Sequence, residues 1–294
     1  RTKLVFAFAA VFIGSLLTFG YLLYGIADRL IGAGTIDQLE SLAESGSDAI
    51  EGIVEGWEER VQLIGSRTQL RASLGRFVAT GDSAELVTLR KILDDAVLSV
   101  RSVAAIAVYD RGGAMVASAG MGSEPPPGSL PARSTSSTSD SPLFLEARPS
   151  GEPYPEIIYT MPLVRENRRV GSLLVVLNGN RLEELTSDTT GLGRSGELMV
   201  VASDPAGART LHPVRHPLDG FDPEGPILLT GERDPAHLAL SGVNDVEREG
   251  LEDYRGRPVW AATRFLRDTG WGLVVKYDAD EKRSGIEEFG WEMF

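Results

Sequence analysis

Leu4 to Ala27 constrains this chain more than any other stretch. It runs for about 24 residues without a charge and is dominated by Leu, Ile, Val, Phe and Ala. At 1.5 Å per residue a helix over it reaches roughly 36 Å, enough to cross a hydrocarbon core about 30 Å thick with some tilt. Such side chains favour insertion by about 0.3 to 0.6 kcal/mol each, so the stretch gains roughly 4 to 7 kcal/mol with no charge to oppose it. A buried core helix is the bland alternative, and the length argues against it. A cleaved signal would carry an apolar region of about 7 to 15 residues ending in a small-residue cleavage site, and neither is found. The stretch reads as a transmembrane helix in contact with lipid. Arg1 and Lys3 precede it, while Asp28 and Arg29 cancel after it. The positive-inside rule then predicts a cytoplasmic N-terminus and an exported remainder, with Tyr21 and Tyr24 at the outer interface.

The formal charge is −13, and Arg1 and Lys3 are not among the exported residues. So acidic an exterior repels nucleic-acid phosphates, which argues against nucleic-acid binding. With no cysteine in the chain, disulfide staples, thiolate metal sites and cysteine nucleophiles are excluded. The exported part must therefore hold together by packing. Of three histidines, His212, His216 and His237, none makes a metal-binding spacing.

From Asp28 to about Phe77, Leu39, Leu42, Gly46, Ile50, Ile53, Trp57, Val61 and Ile64 recur at steps of three and four, which predicts one long amphipathic helix with a break near Gly65 to Arg67. Its apolar face suits packing on its own domain or against a partner helix in a homodimer, with Leu42, Ile50, Ile53, Trp57 and Val61 as the signalling seam. A second helix is predicted over Ser83 to Val100. Strands are predicted at Val103 to Tyr109 and Ala114 to Ala119, joined by the turn Asp110 to Gly113. Residues 121 to 142 are rich in Pro and Ser and read as a long loop, a lid or a floppy connection. Strands Ile157 to Val164 and Val170 to Leu177 follow, then a short helix from Asn180 to Leu185. The alternation then repeats: a strand at Leu198 to Ser203, a turn at Asp204 to Gly207, a Pro/Gly-rich passage through Thr230 and a helix at Pro235 to Ser241. Strands at Gly250 to Tyr254, Pro258 to Leu266 and Gly272 to Tyr277 close it. The fold class is α+β: two modules, each with one antiparallel sheet, behind a membrane helix.

Gly191 to Gly196 matches GxGxxG, but a helix precedes it and a strand follows, the reverse of a dinucleotide site. It reads as a flexible inter-module connector. No GxSxG elbow, phosphate loop, calcium loop or zinc signature is present. Glu247, Glu249, Glu252 and Asp253 read as a solvated face with nothing pairing them across a cleft. The chain is therefore predicted to be a binding module without catalytic residues, metal or cofactor.

Asp110-Arg111-Gly112-Gly113 after an apolar strand resembles the first hairpin of a Cache domain, as does Pro162-Leu163-Val164 leading through a charged turn to Val170 to Val176. Thr190 to Glu197 running into Leu198-Met199-Val200-Val201 is similar to the link into the second module of double Cache sensors. Asp253-Tyr254-Arg255-Gly256, Pro258 to Arg264, and Thr269 to Lys276 resemble their closing strands. The resemblance covers roughly residues 28 to 285. It implies two PAS-like modules strung on one long helix. The segments are 1–27, the cytoplasmic flank and membrane helix; 28–78, the long helix; 79–185, a membrane-distal module that takes a small-molecule ligand; and 186–285, a membrane-proximal module that relays. Residues 286–294, with Phe289, Trp291 and Met293, then approach a second span. In bacteria such sensors sit in the inner membrane with these modules outside the cytoplasm. The wording is most similar to sensor histidine kinases; diguanylate cyclases and chemoreceptors are alternatives, and a membrane-tethered periplasmic enzyme or an assembly protein is the alternative from another class. Amino-acid-binding relatives carry an Arg-xxx-Trp-Tyr element in the distal module. Residues 100 to 185 have none, and Asn178 or Asn180 stands where those relatives place an acid. The expected ligand contacts are Tyr109, Phe144, Arg148, Tyr159, Met161 and Asn178, with Arg148 anchoring the carboxylate of an organic acid.

Overall fold

The computed structural model describes residues 2–122, 127, 130, 140–217, 225–247 and 250–281. Helix α1 (Thr2–Gly65) is unbroken over 64 residues, about 96 Å at 1.5 Å rise. It joins the apolar N-terminal stretch to the amphipathic one and contains no proline. Its end falls where the break was predicted, and α2 (Thr68–Thr80) restarts at once. Arg71 fixes that corner by donating to Gly65 O at 2.7 Å and Val164 O at 3.0 Å. Gly81, with φ of 69°, ends α2 in a left-handed cap. The Asp82 side chain then accepts from Ala84 N and opens α3 (Ser83–Ser99).

The first sheet holds β1 (Val103–Tyr109), β2 (Met115–Gly120), β3 (Leu143–Arg148), β4 (Glu156–Arg165) and β5 (Arg168–Asn178). Its order is β2-β1-β5-β4-β3, antiparallel throughout. Glu166 and Asn167, at φ 50° and 61°, form a two-residue hairpin turn whose twist suits the long strands β4 and β5. Helix α4 (Asn180–Ser187) leads to the second sheet: β6 (Glu197–Asp204), β7 (Gly207–Thr210), β8 (Leu228–Leu229), β9 (Val246–Glu247), β10 (Val259–Leu266) and β11 (Trp271–Asp278). Its order is β8-β7-β6-β11-β10-β9, and α5 (Pro235–Leu240) packs on it.

Helix α1 lies along one face of both sheets, and a single apolar core runs through all three. A side chain at Gly46 would stand 3.1 Å from Leu198 and 3.2 Å from Leu273 in the second sheet. One at Gly65 would overlap Met161, in the first sheet, at 2.5 Å. The helix thus meets the second sheet before the first, the two contacts lying about 28 Å apart along its axis. Ile50, Trp57 and Val61 are buried within the chain's own core, and Leu42 and Ile53 pack partly buried against it.

Four expectations are corrected. Gly250 to Tyr254 is no strand; a single bridge, Glu252 to Pro258, is all it contributes, because the Asp253 carboxylate accepts from the backbone N–H groups of Arg255 and Arg257 and turns the chain. Strands β3, β7, β8 and β9 arise where none was predicted; β3, β8 and β9 are sheet edges and β7 is only four residues long, so their pattern is weak. The 190–196 connector is pinned rather than flexible. Gln38 and Tyr277 both donate to Gly191 O, and Arg194 N and Ser195 N donate to the Glu281 carboxylate. A side chain at Gly196 would meet Leu192 O at 2.0 Å, so only glycine fits there. The placing of Asp253 on a solvated face is the fourth, taken up below.

Among the described residues no helix is long and apolar enough to cross a membrane. The backbone of Leu4 to Ala27 is helical throughout, while the side chains of 4–11, 17, 23, 24 and 27 lie outside the described residues. Of those described, Phe12, Ile13, Leu16, Phe19, Tyr21, Leu22 and Ile26 are each more than half exposed. Most of the loop expected at 121–142, residue Glu249, part of the passage before Thr230 and the expected approach to a second span at 286–294 also lie outside the described residues.

Candidate functional site

Strand alternation gives the first sheet two faces. Ile106, Val108, Ile157, Tyr159, Met161, Leu163, Leu173 and Val175 face the helical side, where α1, α2 and α3 pack on the sheet. Ala105, Ala107, Tyr109, Ile158, Leu174 and Val176 form the outer face, capped by Leu130. The small side chains of Ala105 and Ala107 keep that outer floor low. Tyr109 donates its hydroxyl to Pro127 O at 2.8 Å, and burial pushes its phenol up to about 12.

The six predicted contacts divide between these faces. Phe144, Tyr159 and Met161 point the other way, into the core: Phe144 stacks edge-on against Tyr159 at 5.7 Å and against Trp271 of the second sheet at 5.4 Å. Tyr109, Arg148 and Asn178 belong to the outer side, but Tyr109 lies opposite Ser172 at one end of β5 and Asn178 at the other. Arg148 and Asn178 do come together, around Glu156. Arg148 pairs with the buried Glu156 at 2.8 Å, and Glu156 sits opposite Asn178 across β4 and β5. Asn178 donates to Arg101 O at 3.2 Å, while its amide oxygen is buried without a hydrogen-bond partner. A polar end to an apolar outer floor, with one acceptor waiting for a donor, is the arrangement a small polar ligand needs.

The second sheet carries a denser cluster. Lys276, fully buried in β11, lies opposite Glu197 of β6. Its ammonium pairs with Glu197 at 3.0 Å and with Asp253 at 2.7 Å. Tyr254 donates to Glu197 at 2.9 Å and Arg215 N donates to the same carboxylate at 2.6 Å. Arg255 bridges Asp253 and Asp278. Burial alone would raise the Asp253 carboxyl, but Lys276 and Arg255 outweigh it and hold it below the ordinary value. Burial and the Glu197 charge push the Tyr254 phenol well above its usual range. Asp253 is thus a buried ion-pair partner rather than part of a solvated run, while Glu247 and Glu252 are exposed as expected, Glu252 pairing with Arg233 at 2.8 Å. The missed signal was Lys276 itself, a lone charge within the apolar strand Trp271 to Tyr277, which demands a buried carboxylate.

His212 is buried beside this cluster. Its Nε2 accepts from Val200 N at 2.9 Å and its Nδ1 lies 2.7 Å from Pro213 O, so the ring is neutral and protonated on Nδ1. Burial lowers its affinity for a proton. In the unfolded chain the ring takes up a proton near pH 6.5; the native ring resists. Stability is therefore full above about pH 6.5 and falls as pH drops below it, by at most about 1.4 kcal/mol per unit. In denaturant titrations between pH 7.5 and 5, His212→Gln is expected to flatten that slope; an unchanged slope would show that the imidazole titrates freely.

No family model and no curated protein matches this sequence. Solved structures do share its fold. The sensory domain of the Campylobacter jejuni chemoreceptor Tlp3, with isoleucine bound, is 10% identical, covers 88% of this chain and 98% of its own, and superposes with a TM-score of 0.58. The sensor domain of the V. cholerae histidine kinase DctB is 11% identical over 84% of this chain and 98% of its own, at 0.52. The ligand-binding domain of the Pseudomonas fluorescens chemoreceptor CtaA, in complex with L-isoleucine, is 14% identical over 87% of this chain and 98% of its own, at 0.50. The chain has the fold of these sensory domains, the double Cache arrangement implied by its resemblance.

Proposed function

We propose that this chain is the extracytoplasmic ligand-sensing region of a membrane-bound signal receptor, of the histidine-kinase type, working as a homodimer. In this reading Leu4 to Ala27 crosses the bacterial inner membrane from a cytoplasmic N-terminus. The second module lies near the bilayer, and the first module lies further out and takes a small organic acid. The observation that carries it is the continuity of α1. The helix that bears the exposed apolar side chains at its start packs first on the second sheet and then on the first, which supports the proximal and distal order. A ligand bound to the first sheet's outer face shifts the balance between two packings of that sheet on α1, by no more than its difference in affinity for the two. Helix displacements of about 1 to 2 Å suffice for such relays.

The test is a thermal-shift screen of the full chain in detergent against organic acids, amines and purines. A ligand at 100 times its Kd stabilises the folded state by about 2.7 kcal/mol. An organic acid is expected to raise Tm. Arg148→Ala is expected to remove the rise and to lower the unliganded Tm by stranding the buried Glu156. Arg148→Ala with Glu156→Gln leaves no buried carboxylate unpaired and is expected to remove the rise with a smaller loss of unliganded Tm. If no compound shifts Tm, or Arg148→Ala responds like wild type, the first sheet is not the sensor.

A further inference from the structure

A cavity of about 580 Å³ opens on the outer side of the second sheet, away from the first-sheet face proposed above. Its walls are the segment Ile227 to Asp234 and the turn Glu252 to Tyr254 with Gly256. Asp234 stands in that lining and is 2% exposed. Its Oδ1 accepts from Ala236 N at 2.9 Å and caps α5, while its Oδ2 is buried with no hydrogen-bond partner. A carboxylate oxygen left without a donor in a buried site is costly, and a donor that enters relieves that cost.

The neighbouring charges are already matched. Asp253 is held by Lys276 and Arg255, and Arg233 pairs with Glu252 at the mouth. Ile227 and Leu229 supply buried apolar surface. Glu232, Asp234, Glu252 and Asp253 all line the cavity, with Arg233 as the one cation among the described lining residues. An anion entering would be repelled, and a neutral apolar molecule would leave Oδ2 unmet. We propose that this cavity binds a small aliphatic ammonium compound, whose charged nitrogen donates to Asp234 Oδ2 while its alkyl chain packs on Ile227 and Leu229. The second module then receives a chemical input of its own, distinct from the one taken by the first sheet.

The site predicts a pH signature. Burial pushes the Asp234 carboxyl up to about 6, and the nearby Asp253 charge adds to this, while the Ala236 N–H bond, Lys276 and His237 pull it down. A primary ammonium group stays charged throughout this range, so affinity is expected to be flat above pH 7 and to fall about tenfold by pH 5, as the carboxyl takes a proton. Isothermal titration of the full chain in detergent with putrescine and ethanolamine, at pH 7.5 and pH 5, with succinate as the anion control, tests this. Asp234→Asn keeps an oxygen to cap α5 and is expected to lose at least tenfold in amine affinity. Arg148→Ala, on the other sheet, is expected to bind amines like wild type, so this site and the first-sheet site stand or fall separately. Absence of amine binding to wild type at millimolar concentration would overturn the proposal. So would equal affinity at both pH values, tighter binding of succinate, or undiminished binding by Asp234→Asn.

Discussion

Lys276→Met is expected to destabilise the chain by about 3 to 5 kcal/mol, because it strands two buried carboxylates rather than removing one favourable pair. Glu197 keeps its hydrogen bonds from Tyr254 and Arg215 N, and Asp253 keeps Arg255. Neither keeps enough positive charge to offset the desolvation it suffers. Two further results separate this account from simple loss of packing. Glu197→Gln and Asp253→Asn added to Lys276→Met should recover much of the loss, since a neutral cluster has no unpaired charge to hide. The gap between wild type and Lys276→Met should also narrow in acid. In wild type the Asp253 carboxyl is held below its ordinary value, so its contribution is present above about pH 4 and lost as pH falls further; the variant has none of it to lose. Denaturant titration at pH 7 and pH 3.5 reads both. A loss under about 1 kcal/mol, or a gap that widens in acid, would show that Lys276 is not the partner of these carboxylates.

Trp57→Ala is expected to cost a similar amount, about 3 to 5 kcal/mol, and to uncouple the modules. Trp57, 1% exposed on α1, meets Trp271 of the second sheet edge to face at 6.3 Å. Trp271 meets Phe144 of the first sheet at 5.4 Å. These rings run from the helix through one sheet to the other, where each good aromatic pair adds about 0.5 to 1.5 kcal/mol beyond its area. Emptying the first position leaves a cavity where all three elements join, and Phe at that position should restore most of the loss. Scanning calorimetry is expected to show one transition for wild type and two for Trp57→Ala, with the lower one roughly 10 °C below the wild-type Tm. A single transition near the wild-type temperature would mean that the modules are joined elsewhere. If the first sheet senses and α1 relays, the same variant should still bind at Arg148 but lose any effect of that binding on the second module.

Much of the fold was legible because it rests on local periods. The three-and-four recurrence from Leu39 to Ile64 is α1, and the runs at Val103, Ile157 and Val170 are β1, β4 and β5. The candidate site was less legible. A period of two separates the faces of a strand, yet β4 and β5 are buried on both, so nothing local distinguishes the face that meets α1 from the one that is left for a ligand. Tyr159 and Met161 therefore looked as suitable as Tyr109.

By itself the sequence determined that an apolar rod runs into two α+β modules with no catalytic signature, since charge, hydrophobic period and turn chemistry are properties of neighbouring residues. The tertiary structure alone decided which faces turn inward, that Lys276 meets Asp253 and Glu197, that three rings bridge the sheets, and that one oxygen of Asp234 is buried without a donor in a residue that lines a cavity. Those are pairings between residues far apart in the chain, and their energies arise from burial, which exists only once the chain has closed around them.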